Sequence, residues 1–276
     1  MAIAQVFNRY YVCGKTDCGQ RRAHNEDTIL INDDAGIVLL ADGMGGHQYG
    51  DRASAEATQL INQLLERYLP PAPNKPVQTG FWQKIIGLLN RAGSSDPYQA
   101  LETDGQIIAD ILIETNQTIY RYNQDAQMAD GNGMGTTLVG CKFSDTSANM
   151  HVFHLGDSRL YRWRNQTLTQ LTKDHSAYQN WLDNGRIGEA PGSNVIYQGI
   201  GPKPEVKPDI QIIAIEANDS FLLCSDGLTD LVEDDLIADI LKNLCRENIE
   251  EKTQELIDIA NQNGGTDNIS VILICQ

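Results

Sequence analysis

The sequence predicts an α+β fold, and two hydrophobic patterns support that class. Short apolar runs that are typical of strands come in blocks: before residue 42, from 136 to 163, and from 210 to 224, with one more run near residue 270. Longer segments with an apolar residue at every third or fourth position come in pairs between these blocks. Because strands and helices are segregated, alternating βαβ units are not expected. The 276 residues suffice for one large domain or two small ones.

The first half of the chain begins with two strands and continues with two long helices. We predict the strands at Thr28 to Asn32 and at Gly36 to Ala41. In the first helix one continuous apolar face is formed by Ala57, Leu60, Ile61, Leu64, Leu65 and Tyr68. This helix is expected to stop before the prolines that begin at residue 70. The second helix is predicted from about Glu102 to Gln124.

Residues 70–100 differ in composition from the segments on either side. Prolines and small residues at both ends are typical of a linker. The middle predicts a short helix with Trp82, Ile85, Ile86 and Leu89 on one side. Two interpretations of this apolar stripe are open: it covers a gap in the nearby core, which we favour, or it docks a partner.

In the second half of the chain strands come first and helices follow. We predict strands at Thr136 to Phe143, Met150 to Leu155, Arg159 to Trp163, Ile210 to Ile215, Phe221 to Cys224 and Ile269 to Ile274. Residues 174–200 are polar and irregular, with one helical patch from about Tyr178 to Asn184. Two further helices are expected at about Glu233 to Leu244 and Ile249 to Asn261.

Composition restricts the partners and the compartment. A formal charge of −16 disfavours nucleic acid and anionic membranes as partners. No apolar stretch approaches the ~20 residues that span a bilayer. Residues 1–5 have neither the basic start nor the apolar segment of a signal peptide, so we expect a cytoplasmic protein. None of the six cysteines forms a CxxC pair or stands at zinc-ligand spacing from a histidine.

Four aspartates stand at the ends of apolar, strand-like runs: Asp42, Asp157, Asp226 and Asp267. Converging carboxylates repel each other, and their burial is unfavourable unless a cation binds them. Oxygen-only ligand sets favour Mg²⁺ or Mn²⁺. Asp42 can bridge two ions, and Gly43 with Gly45 and Gly46 lets the backbone fold tightly enough for a main-chain carbonyl to join the ligands. Two ions ~3.5–4 Å apart would hold a hydroxide in line with a phosphorus atom.

A basic and acidic segment precedes the first predicted strand. Arg22 is a candidate clamp for two phosphate oxygens, because its guanidinium is a planar fork. Glu26 and Asp27 are candidates for an outer shell that accepts hydrogen bonds from metal-bound waters. The segment can equally be read as a charged surface turn.

Taken together, these segments resemble the metal-dependent protein phosphatases, known as the phosphatase 2C or PPM family. The match covers about residues 10 to 276 and consists of Arg22-x-x-Asn25-Glu26-Asp27, Ala41-Asp42-Gly43-Met44-Gly45-Gly46-His47, Gly135-Thr136-Thr137, Leu155-Gly156-Asp157-Ser158-Arg159, Asp174-His175-Ser176, Ser225-Asp226-Gly227-Leu228 and Gly265-Thr266-Asp267-Asn268. Each motif alone is weak, but the ordered set is specific. The short form around Met44 is similar to the bacterial branch of the family.

The resemblance implies two packed antiparallel β-sheets flanked by helix pairs, in a four-layer αββα sandwich. A single domain would span residues 1–276, with an insertion at 70–100 and a flap at 174–200 beside the site. By motif match, Asp42 bridges both metals, the carbonyl of Gly43 binds the second, and Asp226 and Asp267 complete the first. Asp157, together with Asp226, matches a third and weaker metal site. Arg22 matches the phosphate-binding arginine.

The activity that the resemblance implies is Mg²⁺- or Mn²⁺-dependent hydrolysis of phosphoserine and phosphothreonine in proteins. A metal-bridging hydroxide would attack directly, without a covalent enzyme intermediate. The expected partners are phosphorylated proteins, the substrates of a serine/threonine kinase, with no nucleic acid, no membrane and a monomeric enzyme. The alternatives are a catalytically inactive module that binds phosphoproteins, and a phosphatase of a small phosphorylated metabolite.

The chain departs from the family pattern at three places. Met44 occupies the position where animal members have a histidine proposed to protonate the leaving alkoxide. A water at the third metal or His47 could take that role, although we favour His47 as a residue without chemistry. The flap has Tyr197-Gln198-Gly199 where an arginine is usual, which affects substrate preference. The third departure is the insertion at 70–100.

Overall fold

The computed structural model describes residues 4–6, 9–44, 49–69, 97–128, 133–144, 147–192 and 194–276. Within these residues, two antiparallel sheets form the centre of the fold. The first has the spatial order β1-β2-β13-β12-β9-β10 and consists of β1 (Ala4–Val6), β2 (Tyr10–Asp17), β9 (Arg159–Arg164), β10 (Thr167–Gln170), β12 (Ser220–Cys224) and β13 (Ile269–Cys275).

The second sheet has the order β11-β8-β7-β4-β3 and consists of β3 (Thr28–Asn32), β4 (Ile37–Ala41), β7 (Leu138–Phe143), β8 (Asn149–Leu155) and β11 (Asp209–Ala214). A short ribbon pairs β5 (Gly43–Met44) with β6 (Gly135–Thr136). The described helices are α1 (Gly50–Tyr68), α2 (Pro97–Asp125), α3 (Ala177–Asp183), α4 (Asp226–Thr229), α5 (Asp234–Leu241) and α6 (Ile249–Gln262).

Three hydrophobic layers hold the sheets and helices together. Val38 and Leu40 of β4 pack in one cluster with Ile272 of β13, so the two sheets lie face to face. Their neighbours Ile37 and Leu39 point to the opposite face, where α1 and α2 cover the second sheet. Helices α5 and α6 cover the outer face of the first sheet in the same way. The predicted αββα sandwich is therefore confirmed.

Several predicted boundaries were wrong by a few residues. Helix α2 begins at Pro97, five residues before the predicted Glu102. Helix α5 ends at Leu241 rather than Leu244, because Asn243 adopts a positive φ of 125° that interrupts the helix. The predicted strand from Thr136 to Phe143 is interrupted at Thr137, which turns towards the end of β4.

Among the described residues, five elements were not predicted: β1, β2, β5, β10 and α4. The apolar stripe around Trp82 and Ile85 lies outside the described residues. Among the described helices, none combines the length and the apolar character that a bilayer crossing requires.

Candidate active site

The ends of four strands bring the predicted aspartates together at one end of the two-sheet core. Asp42 directly follows β4, and Asp157 follows β8 after one glycine. Asp226 comes just after β12, and Asp267 comes just before β13. Strands β12 and β13 are antiparallel neighbours. The charges of Asp157, Asp226 and Asp267 all act on the carboxyl group of Asp42. The sequence-based expectation that these side chains converge agrees with this geometry.

The backbone around Asp42 is fixed by two threonines that follow each other in the chain. The Asp42 N–H donates to the hydroxyl of Thr137 at 3.1 Å, and the Asp42 carbonyl accepts from the Thr136 hydroxyl at 2.8 Å. At Gly43 a Cβ would lie 2.2 Å from the carbonyl oxygen of Gly50. Glycine is therefore required at this position, where the backbone of β5 lies against the first residue of α1.

Asp226 lies in the first turn of α4, and a serine links it to Asp27. The hydroxyl of Ser225 donates to Asp27 Oδ2 at 2.9 Å and accepts from the Ser270 N–H at 3.0 Å. This arrangement buries Asp27, which is 8% exposed. Ser225 was not predicted as a site residue, because a serine after a strand carries no signal of its partners.

Arg22 and Asp267 form an ion pair across the opening of the site. Arg22 Nη2 lies 2.6 Å from Asp267 Oδ2, and their side chains are 53% and 34% exposed. The predicted phosphate clamp and a predicted metal ligand thus contact each other directly. The exposed guanidinium keeps further N–H groups available for an anion.

Asn268 holds the loop that carries Arg22. Its amide nitrogen donates to the carbonyl oxygens of Cys18 at 3.0 Å and His24 at 2.9 Å. Its amide oxygen accepts from the N–H of Glu26 at 2.8 Å. The sequence analysis quoted Asn268 in a motif but did not assign it a function. Its role depends on three backbone groups more than 240 positions away in the chain, which no local pattern reveals.

Burial and mutual repulsion raise the pKa values of the clustered carboxyl groups. Burial, followed by the charges of neighbouring aspartates, raises the pKa of Asp42 well above its usual value. The pKa of Asp157 rises to about 8, mainly by burial and then by the charge of Asp226. Burial is also the main reason why the pKa of Asp27 rises to about 7 and that of Asp226 to about 6. Ionising the whole cluster is therefore unfavourable unless positive charge is added.

The cluster fits hard divalent cations, as two buried oxygen atoms indicate. Asp226 Oδ1 and Asp27 Oδ1 are buried without a hydrogen-bond partner. An unpaired buried carboxylate oxygen is strongly destabilising unless a cation or water binds it. All the donors at this point are oxygens, which is the ligand set that Mg²⁺ and Mn²⁺ prefer.

A cavity of about 450 Å³ opens onto this cluster. Its walls include Arg22, Glu26, Asp42, Gly43, Met44, Thr137, Asn194, Ile196, Asp226 and Asp267. Asn194 and Ile196 belong to the segment 174–200, so part of this segment lines the cavity. Met44 lines the wall, at the position where animal members of the family have a histidine. Gly45, Gly46 and His47 lie outside the described residues.

Comparisons of sequence point to one family of enzymes. The sequence model of the family described as protein phosphatase 2C matches residues 16–260. The serine/threonine phosphatase stp of Listeria welshimeri is 34% identical over 268 residues, which cover 94% of this chain and 93% of the relative. The protein phosphatase PhpP of Streptococcus pneumoniae is 33% identical over 268 residues, which cover 94% of this chain and 94% of the relative.

Comparisons of structure give the same result. The catalytic domain of the serine threonine protein phosphatase PstP, solved with two manganese ions, aligns with a TM-score of 0.74 at 28% identity, covering 96% of this chain and 97% of that one. The serine/threonine phosphatase of S. agalactiae aligns with a TM-score of 0.74 at 30% identity, covering 96% and 99%. With its motifs, its fold and these matches in agreement, the chain belongs to the protein phosphatase 2C family.

Proposed function

We propose that this enzyme hydrolyses phosphoserine and phosphothreonine in proteins by direct displacement, without a covalent enzyme intermediate. The observation that carries the proposal is the shared cavity of Arg22 with Asp42, Asp226 and Asp267. In this cavity the guanidinium of Arg22, which can bind a phosphate group, lies beside carboxylates that favour divalent metals. The matched relatives named serine/threonine phosphatases support the choice of substrate.

In this proposal Asp42, Gly43, Asp226 and Asp267 would hold two Mn²⁺ or Mg²⁺ ions, and Asp157 with Asp226 would hold a third. Such ions would supply an activated water as nucleophile and offset the negative charge of the phosphate group. The unpaired oxygen of Asp226 is available for this role. Asp27 and Glu26 would orient water molecules around the ions, with Asp27 fixed by the hydroxyl of Ser225.

Arg22 binds the phosphate group of the substrate. Its guanidinium can donate two parallel hydrogen bonds to phosphate oxygens, which fixes the phosphorus atom relative to the carboxylates. Because Met44 has no proton to donate, the leaving alkoxide must be protonated from elsewhere. A water held near Asp157 is our proposed donor, and His47 is the alternative.

Cysteine chemistry does not compete with this mechanism. No cysteine in the sequence is followed by an arginine six positions later, the spacing of a phosphate-binding nucleophile loop. Burial raises the pKa of Cys224 to about 12, so its thiol stays protonated near neutral pH. A nucleophile that originates from water therefore remains the best-supported choice.

The proposed setting is a cytoplasmic monomer, a single domain over residues 1–276 with an insertion at 70–100, that acts on the products of a serine/threonine kinase. The charge of −16 supports protein substrates over nucleic acid or an anionic membrane.

Hydrolysis of a phosphothreonine peptide, with Mn²⁺ and with a chelator, tests the proposal. We expect turnover that depends on Mn²⁺ and is lost in Asp226→Asn. Activity that survives chelation or this substitution contradicts it. Calorimetry that finds no Mn²⁺ binding favours an inactive phosphoprotein-binding module. Faster turnover of free phosphoserine than of the peptide favours a metabolite phosphatase.

A further inference from the structure

His175, outside the carboxylate cluster, connects that cluster to the flap. Its backbone N–H donates to the carbonyl oxygen of Gly156 at 2.9 Å. Its ring atom Nδ1 accepts from the N–H of the same glycine at 3.2 Å. Its own carbonyl accepts from the N–H of Tyr197 at 2.7 Å. One residue therefore pairs both polar backbone groups next to Asp157 and also holds the returning limb of the flap.

The ring of His175 is fixed in one tautomer and one orientation. Because Nδ1 accepts a hydrogen bond, the proton of the neutral ring must be on Nε2. Nε2 faces Asp209 Oδ2 at 3.4 Å, and a carboxylate at that place favours the protonated nitrogen. The ring of His154 stacks on that of His175, with centroids 4.6 Å apart and planes inclined by 16°. His154 is in turn fixed by Nε2 against the carbonyl of Lys173 at 2.8 Å.

His154, His175 and Asp209 also lie close enough for a metal site, with one candidate ligand atom from each within 4.8 Å of the others. Two features of the geometry argue against a metal. The nearly parallel rings direct their lone pairs in parallel planes, which do not converge on one ion. One nitrogen of each ring is already paired with a backbone group. A positioning function fits these contacts better.

The segments that His175 joins both reach the active site. Gly156 has a φ of 110°, and a Cβ there would lie 2.7 Å from the Cβ of Thr137, so this turn has little freedom. Asp157 follows it directly. On the flap side Ala177 donates to the carbonyl of Val195 at 2.8 Å, next to Ile196 in the cavity wall. Moving His175 would therefore disturb the carboxylate and the cavity wall together.

We propose that His175, oriented by Asp209, is a positioning residue that fixes both the carboxylate of Asp157 and the flap limb at residues 194–197. This inference rests on the role of Asp157 in the proposed function. It adds a connection that makes the geometry of the flap and that of the third metal position interdependent.

Two substitutions, which place the same amide group at different distances from the backbone, test the proposal. In His175→Asn the amide oxygen can take the place of Nδ1 and accept from Gly156, whereas in His175→Gln the amide group reaches the place of Nε2 instead. We expect His175→Gln to lower kcat by about tenfold or more, as is common when a residue that orients a metal ligand is lost. It should also weaken the weakest Mn²⁺ site in calorimetry. His175→Asn should retain most of both properties.

A measurement on the metal-free protein separates this inference from the proposed function. Nitrogen NMR of wild type should show the Nε2-protonated tautomer of His175 and a Gly156 amide that exchanges slowly. His175→Gln should speed that exchange, and His175→Asn should not. These NMR results do not depend on phosphatase activity. If wild type had no such activity, only the proposed function would be contradicted.

Three outcomes overturn the inference. One is equal loss of kcat in His175→Asn and His175→Gln with unchanged exchange at Gly156. Another is the Nδ1-protonated tautomer in wild type. The third is a Zn²⁺ ion bound to wild type at micromolar concentration, in the presence of saturating Mn²⁺, and lost in Asp209→Asn, which would identify a metal site instead.

Discussion

The guanidinium of Arg22 lies 2.6 Å from the carboxylate of Asp267, so the proposed phosphate ligand is paired with a proposed metal ligand. The two side chains are 53% and 34% exposed. The pair therefore contributes little to the free energy of unfolding, about 0–1 kcal/mol. A divalent ion at Asp267 would compete with Arg22 for the carboxylate. Binding of metal would then free the guanidinium for the substrate.

We expect Arg22→Ala to lower kcat/KM by about 10- to 100-fold, because a charge-assisted hydrogen bond to phosphate contributes about 1.5–3 kcal/mol. The free energy of unfolding should change by less than about 1 kcal/mol. Steady-state kinetics and chemical denaturation measure the two effects. Arg21→Ala is the matched control, since Arg21 also lines the cavity, and an equal loss in that variant would contradict a specific function of Arg22.

The strands of the core were predicted most directly where every position is apolar. Strand β4 is buried on both faces, so its run of five apolar residues is unambiguous. Strand β2 was missed because Gly14, Lys15 and Thr16 dilute its pattern. At Gly14 a Cβ would lie 3.0 Å from the side chain of Ile29, so the two sheets pack closely at this glycine.

The site could be predicted only in part, for a related reason. Asp42, Asp157, Asp226 and Asp267 each carry a local signal, an acid at the end of an apolar run. The groups that contact the neighbouring loops do not. Asn268 and His175 bond to backbone atoms in other segments of the chain, and these contacts depend on the tertiary fold alone.

Gly43→Ala should destabilise the protein by about 1–3 kcal/mol, the usual range for overpacking. The added methyl group would meet backbone atoms of Gly50 and Glu26, which cannot move independently of α1 and the loop before β3. The control is Gly105→Ala in helix α2, where the nearest atom would be an ordinary 3.7 Å away. That variant should be more stable by up to about 1 kcal/mol, since alanine favours helices. Urea denaturation of both variants checks the prediction, and equal stability would refute it.

In a chelator, the metal-free protein should become less stable as the pH rises. The pKa of Asp157 is raised from 3.8 to about 8 by burial and by Asp226. The folded state therefore holds a proton that the unfolded state releases, and stability present below about pH 4 is lost as the pH passes about 8. Asp157→Asn cannot ionise. Between these limits wild type should lose stability relative to this variant, by at most about 1.4 kcal/mol per pH unit. Parallel curves for the two proteins would show that Asp157 does not titrate as expected.

Saturating Mn²⁺ should reverse this dependence, because the ions require ionised carboxylates and their binding releases protons. The thermal midpoint should therefore rise more on addition of Mn²⁺ near pH 8 than near pH 5.

Asp157→Ala should keep most of this stabilisation by Mn²⁺ and bind two ions. It should turn over a phosphopeptide far more slowly, because only the third metal position is lost. Asp226→Asn should lose the gain as well as the activity, because Asp226 is proposed to contact two positions. Calorimetric stoichiometry in the two variants decides the matter. Wild-type turnover in Asp157→Ala would exclude a catalytic third ion while leaving the two-metal site intact.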